Sequence, residues 1–213
     1  MIVPKGLQNY LLALVATAAL VVGVTSPASA ASSKVTNTKY GFTFGLPSGW
    51  QEIPLTGGDV SGILETVTKA DPALKAALGD EVKRDAKQGV QSFAVGPIMH
   101  AFASNINVIV EPASGLPTGS TYFDELKSET KTELASIGML YAASSTISTP
   151  LGKEVQATYT LPAKLAPSGG YGLQIYLRHK SLFYIVTITT ASKSSNQATA
   201  AELEDSWRWI SSK

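Results

Sequence analysis

Between residues 139 and 191 four β-rich runs follow one another, "MLYAASSTIS", "KEVQATYTL", "YGLQIYLRH" and "SLFYIVTITTA", separated by a few turn residues each. Connections that short cannot carry a strand across to a parallel neighbour, so these runs must pair antiparallel. The last run is apolar on both faces, which places it centrally in its sheet. Upstream, "QSFAVGPI" and "SNINVIVEP" read as two further strands, the second with Ile106, Val108 and Val110 on one face.

The chain opens differently. Lys5 stands in a short polar start, an apolar run extends from Leu11 to Val24, and "SPASA" precedes Ala31. The run is shorter than the ~20 residues a membrane-crossing helix needs, and Ala28 and Ala30 are the small residues that signal peptidase prefers. Residues 1–30 are therefore expected to be a signal peptide cleaved before Ala31, leaving no stable membrane anchor and a secreted, extracellular or cell-wall-associated protein. Residues 31–39 are small, polar and unpatterned, which predicts a disordered leader, and residues 40–213 are expected to form one domain. Of 17 basic residues only Lys5 lies in the signal, so 16 face 16 acidic residues in the mature chain. That balance gives no footprint for nucleic acid. The absence of cysteine excludes a disulfide scaffold, a thiolate site and a lipid-modified cysteine.

In "YGFTFGLPSGW", residues 40–50, Tyr40, Phe42, Phe44 and Leu46 alternate with Gly41, Thr43 and Gly45. One strand face is apolar, and the Pro-Ser-Gly turn predicts a β-hairpin returning Trp50 and Ile53 along the first strand. The rings are expected to be core, since each finds a partner for burial. Asp59 can cap a helix with Val60, Ile63, Leu64 and Val67 on one face, and Asp71-Pro72 restarts a second carrying Ala73, Leu74, Ala77 and Leu78. Residues 80–89, "DEVKRDAKQG", read as a solvated run. A further helix is predicted from Ser120, its cap, to Gly138, its stop, with Phe123, Leu126, Leu134 and Ile137 on the buried side. A closing helix from about Asn196 would align Ala200, Leu203, Trp207 and Ile210.

This order predicts an α+β domain in which an antiparallel sheet has helices on both faces. The segments "YGFTFGLPSGW", "AFASNINVIV", "SLFYIVTITT" and "AELEDSWRWI" together resemble PsbP/Mog-like domains, particularly the LpqN/LpqT-type secreted proteins of actinobacteria. The resemblance spans nearly all of residues 40–211 and lies in the order and spacing of packing motifs. It implies an α/β/α sandwich in a family of binding and assembly factors, and no catalytic residues to carry over.

Chemistry-bearing patterns are scarce. No serine sits in a Gly-x-Ser-x-Gly elbow, and "SGGYG" and "LGKE" lack the spacing of a phosphate loop. His100 and His179 are too few for a metal site and read as structural or solvated. Glu202, Glu204 and Asp205 are expected in the first turns of the last helix, where they favour its dipole. Acid–base work by that trio has little behind it, since nothing nearby in sequence would raise a pKa. Asn105 and Asn107 share one side of a strand and fit either a ligand or a neighbouring loop, the structural role being favoured. Trp209 falls off the apolar face of the last helix, which predicts a partly exposed ring and a possible partner surface. No catalytic, metal or cofactor residue is expected. The functional expectation is an exported, non-catalytic binding or assembly factor for a protein or envelope component. The alternative is a carrier of a small apolar molecule in a cleft between the sheet and the helices of residues 62–78, kinked at Pro72.

Overall fold

The computed structural model describes residues 34–53, 90–99, 102–114, 116, 119–163, 166 and 168–211. The signal and its cleavage residues Ala28, Ala30 and Ala31, the two helices expected from Asp59 and Asp71, the run 80–89 and His100 lie outside the described residues.

The described chain is α+β. Its strands are β1 (Lys34–Asn37), β2 (Phe42–Gly45), β3 (Gln51–Ile53), β4 (Val90–Met99), β5 (Phe102–Pro112), β6 (Leu140–Thr149), β7 (Gly152–Thr160), β8 (Tyr171–His179), β9 (Leu182–Thr190) and β10 (Arg208–Trp209). The helices are α1 (Ser120–Ser136), between β5 and β6, and α2 (Lys193–Ser206), between β9 and β10. Seven strands form one sheet in the order β3-β4-β5-β9-β8-β7-β6, and a smaller sheet has the order β1-β2-β10. Every pairing is antiparallel.

Register divides the large sheet into two faces. One row runs Val155, Tyr176, Ile185, Ile109, and these residues join Tyr122, Leu126 and Leu134 of α1 in one apolar cluster. A row three residues along, Leu173, Ile188, Ile106, Ala94, belongs to a second cluster with Ala200 and Leu203 of α2 and with Phe42 and Phe44 of the small sheet. Because β9 is apolar at consecutive positions, it contributes to both, and it lies mid-sheet as its composition predicts.

α1 stops as expected. Gly138 has φ 79, the Met139 N–H reaches the Leu134 carbonyl at 2.9 Å and the Gly138 N–H reaches that of Ala135 at 3.0 Å. This is a Schellman ending, and Met139 and Leu134 share the same apolar cluster. Its start differs from expectation: the cap is Gly119, with no side-chain hydrogen bond, and Ser120 is the first helical residue.

Three other expectations are corrected. Part of the expected leader is ordered: residues 34–37 pair with β2, and Val35 is fully buried. The predicted hairpin does not form. The Trp50 N–H closes a turn on the Pro47 carbonyl, but β3 then pairs with β4 in the large sheet, so the Pro-Ser-Gly turn hands the chain from one sheet to the other. The last helix starts earlier, at Lys193, and ends at Ser206, with Trp207 extended at φ −64, ψ 135.

Candidate functional site

The early end of α2 repositions Trp209. The Ser206 hydroxyl accepts the Gly45 N–H at 3.1 Å and lies 3.1 Å from the Leu203 carbonyl, fastening the end of the helix to β2. Arg208 and Trp209 then pair with Thr43 and Phe42, and the Ile210 N–H donates to the Gly41 carbonyl. In extended chain residues two apart share a side, so Trp207 and Trp209 turn the same way and the helical angle that separated them does not apply. Trp207 lies nearly parallel to Phe42 (5.0 Å between centroids, 17°) and Phe44 (5.2 Å, 8°). Tyr184 of β9 meets Phe42 edge-on at 6.0 Å. Trp209 packs outside this group, 5.5 Å from Trp207 and 5.0 Å from Tyr184, and stacks on His179 at 4.0 Å and 7°.

Trp209 is thus half-buried in a strand rather than exposed on a helix. His179 is held in the stack, and burial, followed by the charge of Lys180, lowers its pKa. Tyr40, half-buried, adjoins the patch: its carbonyl accepts the Tyr184 hydroxyl at 2.7 Å, and Lys39 Nζ lies 4.7 Å from its ring centroid. Lys39 and Lys180 are exposed. The result is a rigid, cationic aromatic surface whose rings are backed by the core.

A second arrangement lies inside, on the α1 face. One cross-sheet row reads Tyr159, Gly172, Thr189, Asn105, Val95, and the next reads Ala157, Gln174, Thr187, Asn107, Phe93. Gly172 is required there, because a Cβ would stand 1.9 Å from Cζ of Tyr159, whose ring lies across it. The Tyr159 hydroxyl reaches Thr189, yet neither makes a hydrogen bond of good geometry. Both amide atoms of Asn105 and Oδ1 of Asn107 are buried without a partner, as are the Tyr122 hydroxyl, the Thr130 hydroxyl and one Glu133 oxygen. Gln174 accepts the Tyr176 hydroxyl at 2.6 Å. Burial, then the charge of Glu129, pushes the Glu133 carboxyl up to about 8. The neighbouring-loop reading of Asn105 and Asn107 is not what the structure shows: they belong to a buried polar strip.

The acidic residues of α2 are also placed differently. Glu202, Glu204 and Asp205 occupy its last turn, where negative charge opposes the helix dipole. Gln156 Nε2 donates to Glu204 at 2.7 Å and to Glu154, which is fully buried, at 2.9 Å. Desolvation pushes Glu154 up to about 7, with the Gln156 hydrogen bond opposing and Glu204 reinforcing. Burial raises Glu204 as well, so a neighbour distant in sequence does what nothing local does. One amide closes both carboxyls, which makes this a clasp between β7 and α2 rather than an open acid–base pair. Sequence reasoning missed Glu154 because "GKEVQATYT" gives no sign that one glutamate of an alternating strand faces inward.

No protein-family profile matches the chain, and no curated protein matches it. Among solved structures, cyanobacterial PsbP (CyanoP) from Synechocystis sp. PCC 6803 is similar at 15% identity, over 89% of this chain and 99% of that one, with a TM-score of 0.46. A protein from Bacteroides thetaiotaomicron VPI-5482 is similar at 11% identity and a TM-score of 0.44, over 84% of this chain and 48% of that one.

Proposed function

We propose that this protein is an exported, non-catalytic binding or assembly factor, a layered α/β/α domain of the PsbP/Mog-like, LpqN/LpqT type, that engages a protein or envelope partner through the surface around Trp209. The observation that carries the reading is the stack of Trp209 on His179, half-exposed and braced by Tyr184 and Trp207. A large ring fixed in place before contact loses little conformational freedom on binding, which is why Trp is enriched at binding hot spots. Lys39 and Lys180 beside it favour a partner with acidic side chains around a planar or aliphatic anchor. The order of sequence motifs supports the family and with it a binding role. Export rests on the first 30 residues, and intact-mass measurement of the mature protein is expected to give Ala31 as its first residue.

The apolar-carrier reading gains no support from the described strands. On the α1 face the middle of the sheet carries Asn105, Asn107, Gln174, Thr187 and Thr189, which an apolar ligand would leave unpaired. The test of the binding reading is affinity capture from the producing cell's envelope and medium, with mass spectrometry of bound proteins and lipids. Trp209→Ala is expected to weaken the captured complex at least tenfold, about 1.4 kcal/mol. Unchanged affinity would remove Trp209 from the interface and direct attention to the segments 111–120 and 161–170.

A further inference from the structure

The two edges of the seven-stranded sheet are built differently. β3, at one end, is three residues long and carries Glu52. A short, charged edge is the usual protection against pairing with another chain. β6, at the other end, is ten residues long, "LYAASSTIST", with no charged residue and no proline. All of its residues are exposed or half-buried, and Leu140 at its start is 60% exposed.

Register identifies what this edge fits. A bulge interrupts the pairing with β7 between Tyr141 and Ala143, and from Ala143 to Thr149 the pairing is regular; among the described residues no strand pairs with the outer side of this segment. Two antiparallel strands related by a two-fold axis keep their faces, so a residue must meet one of the same parity. Centred on Thr146, the middle of the regular segment, the pairs are Thr146 with Thr146, Ser145 with Ile147, Ser144 with Ser148 and Ala143 with Thr149. Each is small or β-branched and none is charged, so the strand meets itself without like-charge opposition. A charged peptide would find nothing here to select it.

We propose that β6 is a homodimer interface, pairing antiparallel with β6 of a second copy about a two-fold axis at Thr146 and joining the two seven-stranded sheets into one. This is independent of the Trp209 reading. A dimer would present two Trp209 surfaces, but each stands or falls by its own experiment.

Analytical ultracentrifugation of the mature protein across a wide concentration range is expected to show a reversible monomer–dimer equilibrium. Thr146→Lys and Thr146→Glu each place like charges together on the axis, and each is expected to be monomeric with an unchanged circular dichroism spectrum. Mixed in equal amounts, the two variants are expected to recover a heterodimer, since the axis then holds opposite charges. Recovery also shows that neither variant had lost its fold. A wild-type protein that stays monomeric at every concentration overturns the proposal. So does a dimer that survives Thr146→Lys, or a mixture of the two variants that does not associate.

Discussion

Two buried asparagines illustrate how differently the same side chain is used here. Asn196 Nδ2 donates to the Ile188 carbonyl at 2.9 Å and the Tyr171 carbonyl at 3.1 Å, tying the first turn of α2 to β8 and β9. Asn105 is as deeply buried and bonds to neither neighbour. A buried polar group left without a partner costs about 1–3 kcal/mol, whereas an apolar replacement of similar size is close to neutral. Asn196→Leu is therefore expected to lower stability by about 1–3 kcal/mol in urea melts, and Asn105→Leu to leave it unchanged or raise it. A large loss at Asn105 would mean that its amide is satisfied by bound water. The aromatic group gives the opposite extreme. Phe42 is fully buried against Phe44, Tyr184 and Trp207, so Phe42→Ala is expected to cost about 3–5 kcal/mol through lost burial and a cavity. A loss below about 1 kcal/mol with a folded spectrum would show that the ring is not a core residue.

At the scale of elements, α2 depends on its first turn and on the strand that follows it. Ser192 Oγ accepts the Ser195 N–H at 3.1 Å in an ordinary N-cap, and Ser192→Ala is expected to cost about 1 kcal/mol, read from the urea midpoint. The end of α2 shows why some boundaries could not be read in advance. Leu203, Trp207 and Ile210 fit a helical spacing and Trp207 and Trp209 fit a strand spacing, so periodicity permits both. Pairing with Phe42 and Thr43, more than 160 positions earlier, decides between them. The same limit explains the missing hairpin: alternation in residues 40–46 marks β2 as a strand with one apolar face, but does not name its neighbours. Strands β4 to β9 were legible because each carries its own alternation or apolar run between turn residues, and α1 because Gly138 marks its stop. Of the internal polar strip, Asn105 and Asn107 were visible as polar residues within an apolar strand. Thr189, Tyr159 and Glu133 were not, because only the register of four strands and the placement of α1 bring them together.

For the whole molecule, the buried carboxyls set how stability responds to pH. Glu154 and Glu133 titrate near about 7 and about 8 in the fold, against 4.5 for an unperturbed glutamate. Between these values the folded protein holds protons that the unfolded chain has released. The contribution of these two carboxyls to stability is therefore greatest below 4.5, falls as pH rises through the window, and levels off above about 8. Burial raises Glu52, Glu111, Glu129 and Glu204 in the same sense. Among the described residues two groups oppose them. Asp124 is lowered by its hydrogen bond to Lys127, on an exposed helical turn where ion pairs contribute little. His179, lowered by burial and by Lys180, loses stability as pH falls, and it is a single half-buried ring. The carboxyls should dominate, so the melting temperature is expected to decline from about pH 5 to about pH 9. Glu154→Gln keeps a neutral group in the clasp with Gln156 and should flatten that decline, and adding Glu133→Gln should flatten it further. Far-UV circular dichroism melts at matched ionic strength make the comparison. A melting temperature that rises across the window would mean that neither carboxyl is held above the usual carboxylate range in the fold.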